Sequence, residues 1–149
     1  MMGRYEFMKE ALKEAQKCLK TGDVPVGAVI VKDGRIIAKG RNLKEKDGLS
    51  ILHAEIVAIT EANKSLNSTN LSNCELYVTL EPCPMCAGAV INSKIDKVVF
   101  GAFDLKNGAC GSVTNLFALP FTHKPQCFGG IMEDECSEIL TSFFKTIRN

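Results

Sequence analysis

Apolar side chains recur along the chain at two spacings, and each spacing predicts one kind of element. Over residues 5–20 the apolar positions lie three and four residues apart, which is typical of an amphipathic helix. The same pattern predicts helices over residues 53–66 and 133–147, and a further helix over residues 83–93 begins at two cysteines. The sequence therefore predicts four helices, with residues 41–50 as a polar connection.

Runs of branched and aromatic residues predict four strands between these helices. The stretch VGAVIVKDGRIIAKG, residues 26–40, indicates two strands joined at Asp33-Gly34, a dipeptide that tolerates the positive φ angles of a tight hairpin turn. The runs CELYVTL (74–80) and KVVFGA (97–102) indicate two more. Because a hairpin pairs strands antiparallel and a crossover helix pairs them parallel, we expect a mixed sheet with helices on both faces.

The composition fits one globular domain over residues 1–149, in which the stretch 104–132 is expected to be loop. Hydrophobic residues make up 46% of the chain and charged residues 23%. The apolar runs are of strand length, so we expect no membrane span, and the mixed charges of the first ten residues predict a cytoplasmic protein without a signal peptide. The 18 basic and 17 acidic side chains neither favour nor exclude a nucleic-acid partner. Seven cysteines, an odd number, favour reduced thiols over a disulfide scaffold.

The strongest candidate chemistry combines two cysteines with a distant histidine. Cys83 and Cys86 are separated by two residues at the predicted start of a helix, where unpaired N–H groups favour thiolates. Thiolates and the imidazole of His53, also at a helix start, are ligands for zinc. Three ligands leave a fourth position open, which is typical of a catalytic site. Glu55, two residues after His53, could take a proton from activated water and return it to a leaving group.

Each part of this pattern has another interpretation. A Cys-x-x-Cys at a helix start is also typical of thioredoxin-type redox sites, although a dithiol has no use for His53 and Glu55. A closed structural zinc site would take a fourth ligand from Cys110, Cys127 or His123. A buried histidine beside a glutamate is most often a satisfied core pair. The H-x-E and P-C-x-x-C motifs together favour the catalytic zinc site.

Further segments extend these two motifs over most of the chain. They are VPVGAVIV (24–31), Asn42, HAEI (53–56), LYVTLEPCPMCAGAVINSKI (76–95), VVFGA (98–102), Asp104, Lys106, GACGS (108–112), and DEC with FF near the end. Together they resemble the cytidine and deoxycytidylate deaminase superfamily, and within it the bacterial tRNA-specific adenosine deaminases. The resemblance implies a three-layer α/β/α fold of the cytidine deaminase type around a mixed five-stranded sheet.

The resemblance also implies the chemistry of the site. Three ligands are implied for one zinc ion per subunit, namely His53, Cys83 and Cys86. Glu55 would move protons while water activated by the metal attacks a nucleobase and expels ammonia. Substrate contacts are implied for the side chains of Asn42 and Asp104 and for the backbone N–H of Ala54. The implied reaction converts the wobble adenosine of a tRNA anticodon loop to inosine, in a homodimer whose active sites are each bordered by the partner subunit.

Several segments depart from the family pattern. Residues 48–52 read Gly-Leu-Ser-Ile-Leu where Asp-Pro-Thr-Ala usually precedes the histidine, and Phe103 stands where arginine is usual. Residues 120–123 and the end of the last helix carry fewer of the Asn and Arg residues common in the tRNA enzymes. These changes remove charge that phosphates favour, so the alternative is a deaminase of a free base or nucleoside, such as guanine, cytosine, adenine or a modified purine. A zinc-stabilised scaffold is the third hypothesis, and Glu55 argues against it because a scaffold needs no unliganded acid at its metal.

Overall fold

A computed structural model describes residues 3–148 of the chain, and five strands within that range form one mixed sheet. The strands are β1 (Gly27–Lys32), β2 (Arg35–Arg41), β3 (Cys74–Leu80), β4 (Lys97–Ala102) and β5 (Gln126–Phe128). Their order in space is β2-β1-β3-β4-β5. β1 is antiparallel to β2 and β3, whereas β3, β4 and β5 pair in parallel. The predicted mixed sheet is confirmed, and so is the five-strand count that the family resemblance implies.

Helices cover both faces of this sheet. They are α1 (Arg4–Lys17), α2 (Lys44–Asp47), α3 (Ala54–Leu66), α4 (Pro84–Ser93) and α5 (Glu133–Arg148), with short 3₁₀ turns at Cys18–Lys20 and Leu116–Ala118. α1 and α5 pack on one face of the sheet, and α3 and α4 pack on the other, which gives the three layers. Across residues 3–148, every helix is too short or too polar to span a membrane.

Alternate residues of the central strands supply the two layers of the core. In β1, Val29 and Val31 pack with α1, whereas Ala28 and Ile30 pack with α3 and α4. All four side chains are buried. A strand that is covered on both faces has no solvent side and therefore needs no polar residue, which explains the continuous apolar run of the VGAVIV segment.

The direction of the strands decides where the functional residues meet. The hairpin between β1 and β2 turns at Asp33 and Gly34, whose φ angles of 52° and 74° are those of a tight type I′ turn, as predicted. Since β1 is antiparallel to both of its neighbours, β2, β3 and β4 all run the same way. The segments that follow these three strands therefore begin at one edge of the sheet.

Gly40 allows the start of α3 to lie directly against β2. A Cβ atom at this position would lie 2.5 Å from the carbonyl oxygen of Ala54 and 2.5 Å from the backbone nitrogen of Ala58. Both distances are well below van der Waals contact, so a side chain here would push the helix away. The glycine thus fixes the first turn of α3 close to the carboxyl end of β2.

Three segments differ from the sequence expectations. The first helix ends at Lys17, and the last residues predicted for it form a 3₁₀ turn. The expected polar connection contains α2, whose Glu45 and Lys46 N–H groups donate to the buried carboxylate of Asp23. β5 lies in a stretch expected to be loop and pairs with β4. The last two elements depend on contacts between residues far apart in sequence, which local patterns do not reveal.

Candidate metal and active site

Two helix starts bring three metal-binding side chains together at this edge of the sheet. His53 is the N-cap residue of α3, Cys83 is the N-cap residue of α4, and Cys86 lies in the first turn of α4. Pro84 occupies the first position of α4, where a helix needs no N–H donor. Nδ1 of His53 lies 3.6 Å from Sγ of Cys83 and 3.6 Å from Sγ of Cys86. All three ligating atoms lie within 4.8 Å of one another.

These distances fit a tetrahedral zinc ion. With Zn–S bonds of about 2.3 Å and a Zn–N bond of about 2.1 Å, tetrahedral angles separate nitrogen from sulfur by about 3.6 Å. Thiolate and imidazole are ligands that suit zinc rather than magnesium or calcium. In the described part of the chain, no fourth His, Cys, Asp or Glu belongs to the cluster. The donor set is therefore that of an open, catalytic site and not of a closed structural one.

The three side chains considered as a fourth ligand are engaged elsewhere. Nε2 of His123 lies 2.6 Å from the carbonyl oxygen of Ile95. The thiols of Cys110 and Cys127 influence each other, and this interaction raises the pKa of Cys110 and lowers the pKa of Cys127. The structure thus removes the basis for a four-ligand structural site.

Hydrogen bonds inside the cluster favour a thiolate on Cys83. The Cys86 thiol is the largest influence and the His53 ring a further one, and together they lower the pKa of Cys83 to about 4 although burial acts against them. The pKa of Cys86 is raised by its contact with Cys83 and by burial. The pKa of His53 is raised chiefly by its hydrogen bond with Cys83. The cluster therefore places negative charge on sulfur where a divalent cation would bind.

Glu55 is a buried acid beside this cluster. It lies in the first turn of α3 and is 4% exposed. Burial raises the pKa of Glu55 to about 7, although its own backbone N–H and the His53 ring act in the opposite direction. A carboxyl group with a pKa near neutrality can both accept and return a proton. Glu55 is outside the ligand cluster of the described residues, so its oxygens are available for chemistry.

A cavity of about 690 Å³ opens over the cluster. Its walls come from the segments after β2, β3 and β4, from the starts of α3 and α4, and from α5. Six of the seven residues predicted for the site line it: Asn42, His53, Ala54, Glu55, Cys83 and Asp104. The seventh, Cys86, is fully buried in the first turn of α4. The structure therefore brings the predicted site residues to one place.

The side chains of Asn42 and Asp104 line the cavity and also form hydrogen bonds with backbone groups. The Asn42 amide donates to the Val24 carbonyl at 3.2 Å and accepts from the Lys44 N–H at 3.0 Å. The Asp104 carboxylate accepts from the N–H groups two and three residues further along, at 3.1 and 3.0 Å. Each side chain thus has the turn-forming role that its residue type often has, and its contact with substrate stays a prediction.

Among the residues of the cavity wall that sequence reasoning missed, three are notable for their position in the fold. Leu140 and Phe144 extend from α5 over the cavity, and the apolar pattern of that helix did not reveal which part of the molecule it covers. Glu81 directly follows β3 and is 2% exposed. Burial alone would raise the pKa of Glu81, but hydrogen bonds from Ser112 and neighbouring N–H groups lower it below its usual value. An acid at the end of an apolar strand was the available signal, because a buried carboxylate needs partners.

The chain is similar in sequence and in structure to proteins named as deaminases. Residues 2–102 match the family model of the cytidine and deoxycytidylate deaminase zinc-binding region. A tRNA-specific adenosine deaminase of Bacillus subtilis is 50% identical over 143 residues, which cover 95% of this chain and 89% of that protein. A tRNA-specific adenosine deaminase of Aquifex aeolicus is 46% identical over 148 residues, 99% of this chain and 98% of that one. A solved structure from work on A-to-I editing by tRNA:A34 deaminases at the wobble position superposes with a TM-score of 0.87 and 41% identity, over 90% of this chain and 98% of the other.

Proposed function

The chain belongs to the cytidine and deoxycytidylate deaminase family, and we propose that it converts the wobble adenosine of a tRNA anticodon loop to inosine with release of ammonia. The protein is a zinc-dependent deaminase with one zinc ion per subunit, so the resemblance seen in the sequence is confirmed. The observation that carries the proposal is an open His-Cys-Cys cluster with a buried, unliganded glutamate, in a chain 50% identical to a tRNA-specific adenosine deaminase.

Three atoms of the cluster are assigned to the metal in this proposal: Nδ1 of His53, Sγ of Cys83 and Sγ of Cys86. Two thiolates, a neutral imidazole and Zn²⁺ sum to no net charge, so the centre suits its largely buried surroundings. When bound, zinc supplies a Lewis acid that makes water a nucleophile at neutral pH. The residues around it then have to move protons and hold the base.

Glu55 carries the protons in this scheme. Hydrolysis forms a C–O bond between water and the base, breaks the C–N bond to the exocyclic amino group, and releases ammonia. Glu55 accepts a proton from the attacking water and gives it to the leaving amino group. The pKa of about 7 that burial gives Glu55 suits both steps.

The cavity wall supplies groups that would hold the nucleoside. Ala54 occupies the first position of α3, so its N–H has no acceptor inside the helix and can donate to a base. Asn42 and Asp104 line the same cavity. In our proposal the Ala54 N–H and the Asn42 amide hydrogen-bond the base, and Asp104 accepts from the ribose.

The mouth of the cavity favours a base that is part of an RNA. Phe103, Leu105 and Phe144 line the cavity and are 46%, 81% and 38% exposed. Exposed aromatic rings such as those of Phe103 and Phe144 stack on splayed bases of single-stranded loops. Lys44 and Lys106 also line the cavity, one after β2 and the other after β4, and both are exposed, where they can meet phosphates.

The altered segments at residues 48–52 and 120–123 bear on the free-base alternative. Of the residues that the structure describes, none from these two segments lines the cavity. Neither segment therefore supplies a side chain that would close this cavity around a small molecule. Among the departures at residues that the structure describes, Phe103 lines the cavity wall.

A homodimer belongs to the same proposal. α4 leaves Met85, Ala89 and Ile91 partly exposed on the outside of the subunit, next to the zinc ligands on the same helix. A second copy packed there would border the cavity. Light scattering of the zinc-loaded protein checks this, and a monomer at micromolar concentration would contradict it.

The decisive experiment offers the zinc-loaded protein an anticodon stem-loop with adenosine at the wobble position, alongside guanine, cytosine, adenine and their nucleosides. We expect ammonia release and inosine, identified by mass spectrometry, only in the RNA. The matched control is the same stem-loop with guanosine at the wobble position and adenosine elsewhere in the loop, which should stay unchanged. Turnover of a free base or nucleoside with the RNA untouched would contradict the proposal, and no turnover of any compound would favour the scaffold hypothesis.

A further inference from the structure

The hydrogen bonds of the buried Glu81 carboxylate all go to one loop, residues 103–112, which we name the 103–112 loop. Oε1 accepts from the Asp104 N–H at 3.0 Å and from the Ser112 hydroxyl at 2.5 Å. Oε2 accepts from the Cys110 N–H at 3.1 Å and from the Ser112 N–H at 3.0 Å. One side chain therefore ties both ends of the loop to the end of β3.

The 103–112 loop is also shaped around this carboxylate. A Cβ atom on Gly108 would lie 2.3 Å from Cδ of Glu81, so only glycine fits where the loop passes the carboxylate. The Ala109 N–H donates to the carbonyl of Pro82 at 2.8 Å, which adds a backbone contact beside the side-chain contacts. The loop position is thus set by the segment 81–82 and not by packing alone.

This arrangement joins the loop to the metal centre. Five consecutive loop residues, 103–107, line the cavity. Glu81 precedes Cys83 by two residues, so the short segment after β3 carries both a zinc ligand and the anchor of the loop. A shift of the carboxylate would move the cavity wall relative to the metal ligands.

We propose that Glu81 is a positioning residue for the 103–112 loop. It holds the loop at the distance from the metal centre at which the loop contacts the RNA substrate, and this inference rests on the proposed function. A carboxylate that accepts four hydrogen bonds is a rigid anchor, because its side chain cannot rotate away without breaking several of these bonds at once. Glutamine at this position would place an NH₂ donor against N–H donors of the loop, so some of these hydrogen bonds could not form.

The first test measures the loop itself and needs no substrate. In the zinc-loaded full-length protein, trypsin should cut after the exposed Lys106 faster in Glu81→Gln (E81Q) than in the wild type, by about 10-fold or more, since the loop opens more often. Glu75→Gln (E75Q) makes the same change on β3, at the end of the strand away from the cavity, and should leave the cutting rate unchanged. Zinc content should stay at one ion per subunit in both. Equal cutting rates in E81Q and wild type would overturn the inference.

The second test measures the consequence for RNA. With the anticodon stem-loop, kcat/KM of E81Q should fall by about 10-fold to 100-fold, mainly through KM, since the zinc ligands and Glu55 are unchanged. Ser112→Ala removes one of the four hydrogen bonds and should give a smaller change in the same direction, also where E81Q is too unstable to assay. An unchanged KM in both variants would overturn the positioning role. If the wild type does not turn over RNA, the proposed function fails, while the trypsin comparison still decides whether Glu81 holds the loop.

Discussion

Glu55 is buried next to the predicted zinc ligands, yet it lies outside the ligand cluster of residues 3–148. Glu55→Gln (E55Q) keeps the size of the side chain and removes its ability to carry a proton. We expect turnover of the stem-loop to fall by at least about 100-fold, the usual contribution of a positioned acid or base. Zinc content should remain one ion per subunit. Mass spectrometry of the RNA and elemental analysis of the protein measure the two quantities.

The control for this variant is Glu10→Gln on α1, where the glutamate side chain is partly exposed and pairs with Lys13 and Lys39. Neither activity nor zinc content should change in it. If E55Q loses zinc together with activity, Glu55 would be a ligand and its proton-carrying role would be wrong.

At the residue scale, the sequence predicted groups that belong to short motifs with a recognisable chemistry. His53 and Glu55 share one helix start, and Cys83 and Cys86 share another, so two short motifs define the centre. Glu81 could not be assigned in this way. Its hydrogen-bond partners lie 23 to 31 residues further along the chain, and only the fold brings them together.

The short helix α2 depends on an acid from outside it. Asp23 is fully buried and accepts from the Glu45 and Lys46 N–H groups and from the Thr21 hydroxyl. Asp23→Asn places an NH₂ group against these donors and leaves buried groups unsatisfied, so the free energy of unfolding should fall by about 1–3 kcal/mol. Urea unfolding followed by circular dichroism measures the change.

The matched control for Asp23 is Asp47→Asn on α2 itself, because that carboxylate is exposed and pairs with the neighbouring Lys46. Its effect should stay within about 0.5 kcal/mol. A loss of stability as large as that of Asp23→Asn would mean that the charge of α2, and not the buried anchor, stabilises this segment.

The position of α3 against β2 can be tested at Gly40. Gly40→Ala places a methyl group 2.5 Å from backbone atoms of Ala54 and Ala58, so α3 must shift together with His53. We expect a loss of about 1–3 kcal/mol in the free energy of unfolding and weaker zinc binding in a competition with a chelator. Gly88→Ala on α4 meets no atom within 4 Å and should leave zinc binding unchanged. Unchanged zinc affinity in Gly40→Ala would show that α3 adjusts without moving its N-cap.

At the element scale, the sequence predicted the elements that carry long apolar patterns, but it did not predict the short elements. The runs CELYVTL and KVVFGA are β3 and β4, residue for residue. β5 has three residues and only its middle one is half-buried, so it carries no alternation that a sequence pattern could reveal. It exists because β4 offers an open edge, just as α2 exists because Asp23 lies beneath it. Both are products of tertiary contact.

At the scale of the whole molecule, the cavity lies between two segments that are held by buried carboxylates. Asp23 holds the segment after β2, and Glu81 holds the 103–112 loop after β4. The metal ligands lie between them, on the helices that follow β2 and β3. Because β2, β3 and β4 run in one direction, a single edge of the sheet carries the ligands, the acid and both walls.

Removal of zinc tests two expectations: the metal stabilises this edge of the sheet, and the sheet itself folds without the metal. The two layers of the core consist of buried apolar residues outside the cluster, so the metal-free protein should keep a cooperative unfolding transition. Zinc binds only the native arrangement of the three ligands, so at 100 times its Kd it adds about 2.7 kcal/mol, which for a chain of this size is about 5–10 °C in Tm. Differential scanning calorimetry with and without a chelator measures the shift, and E55Q should show the same shift as the wild type. Complete unfolding on chelation would mean that the metal organises the core, and no shift would mean that His53, Cys83 and Cys86 do not hold it.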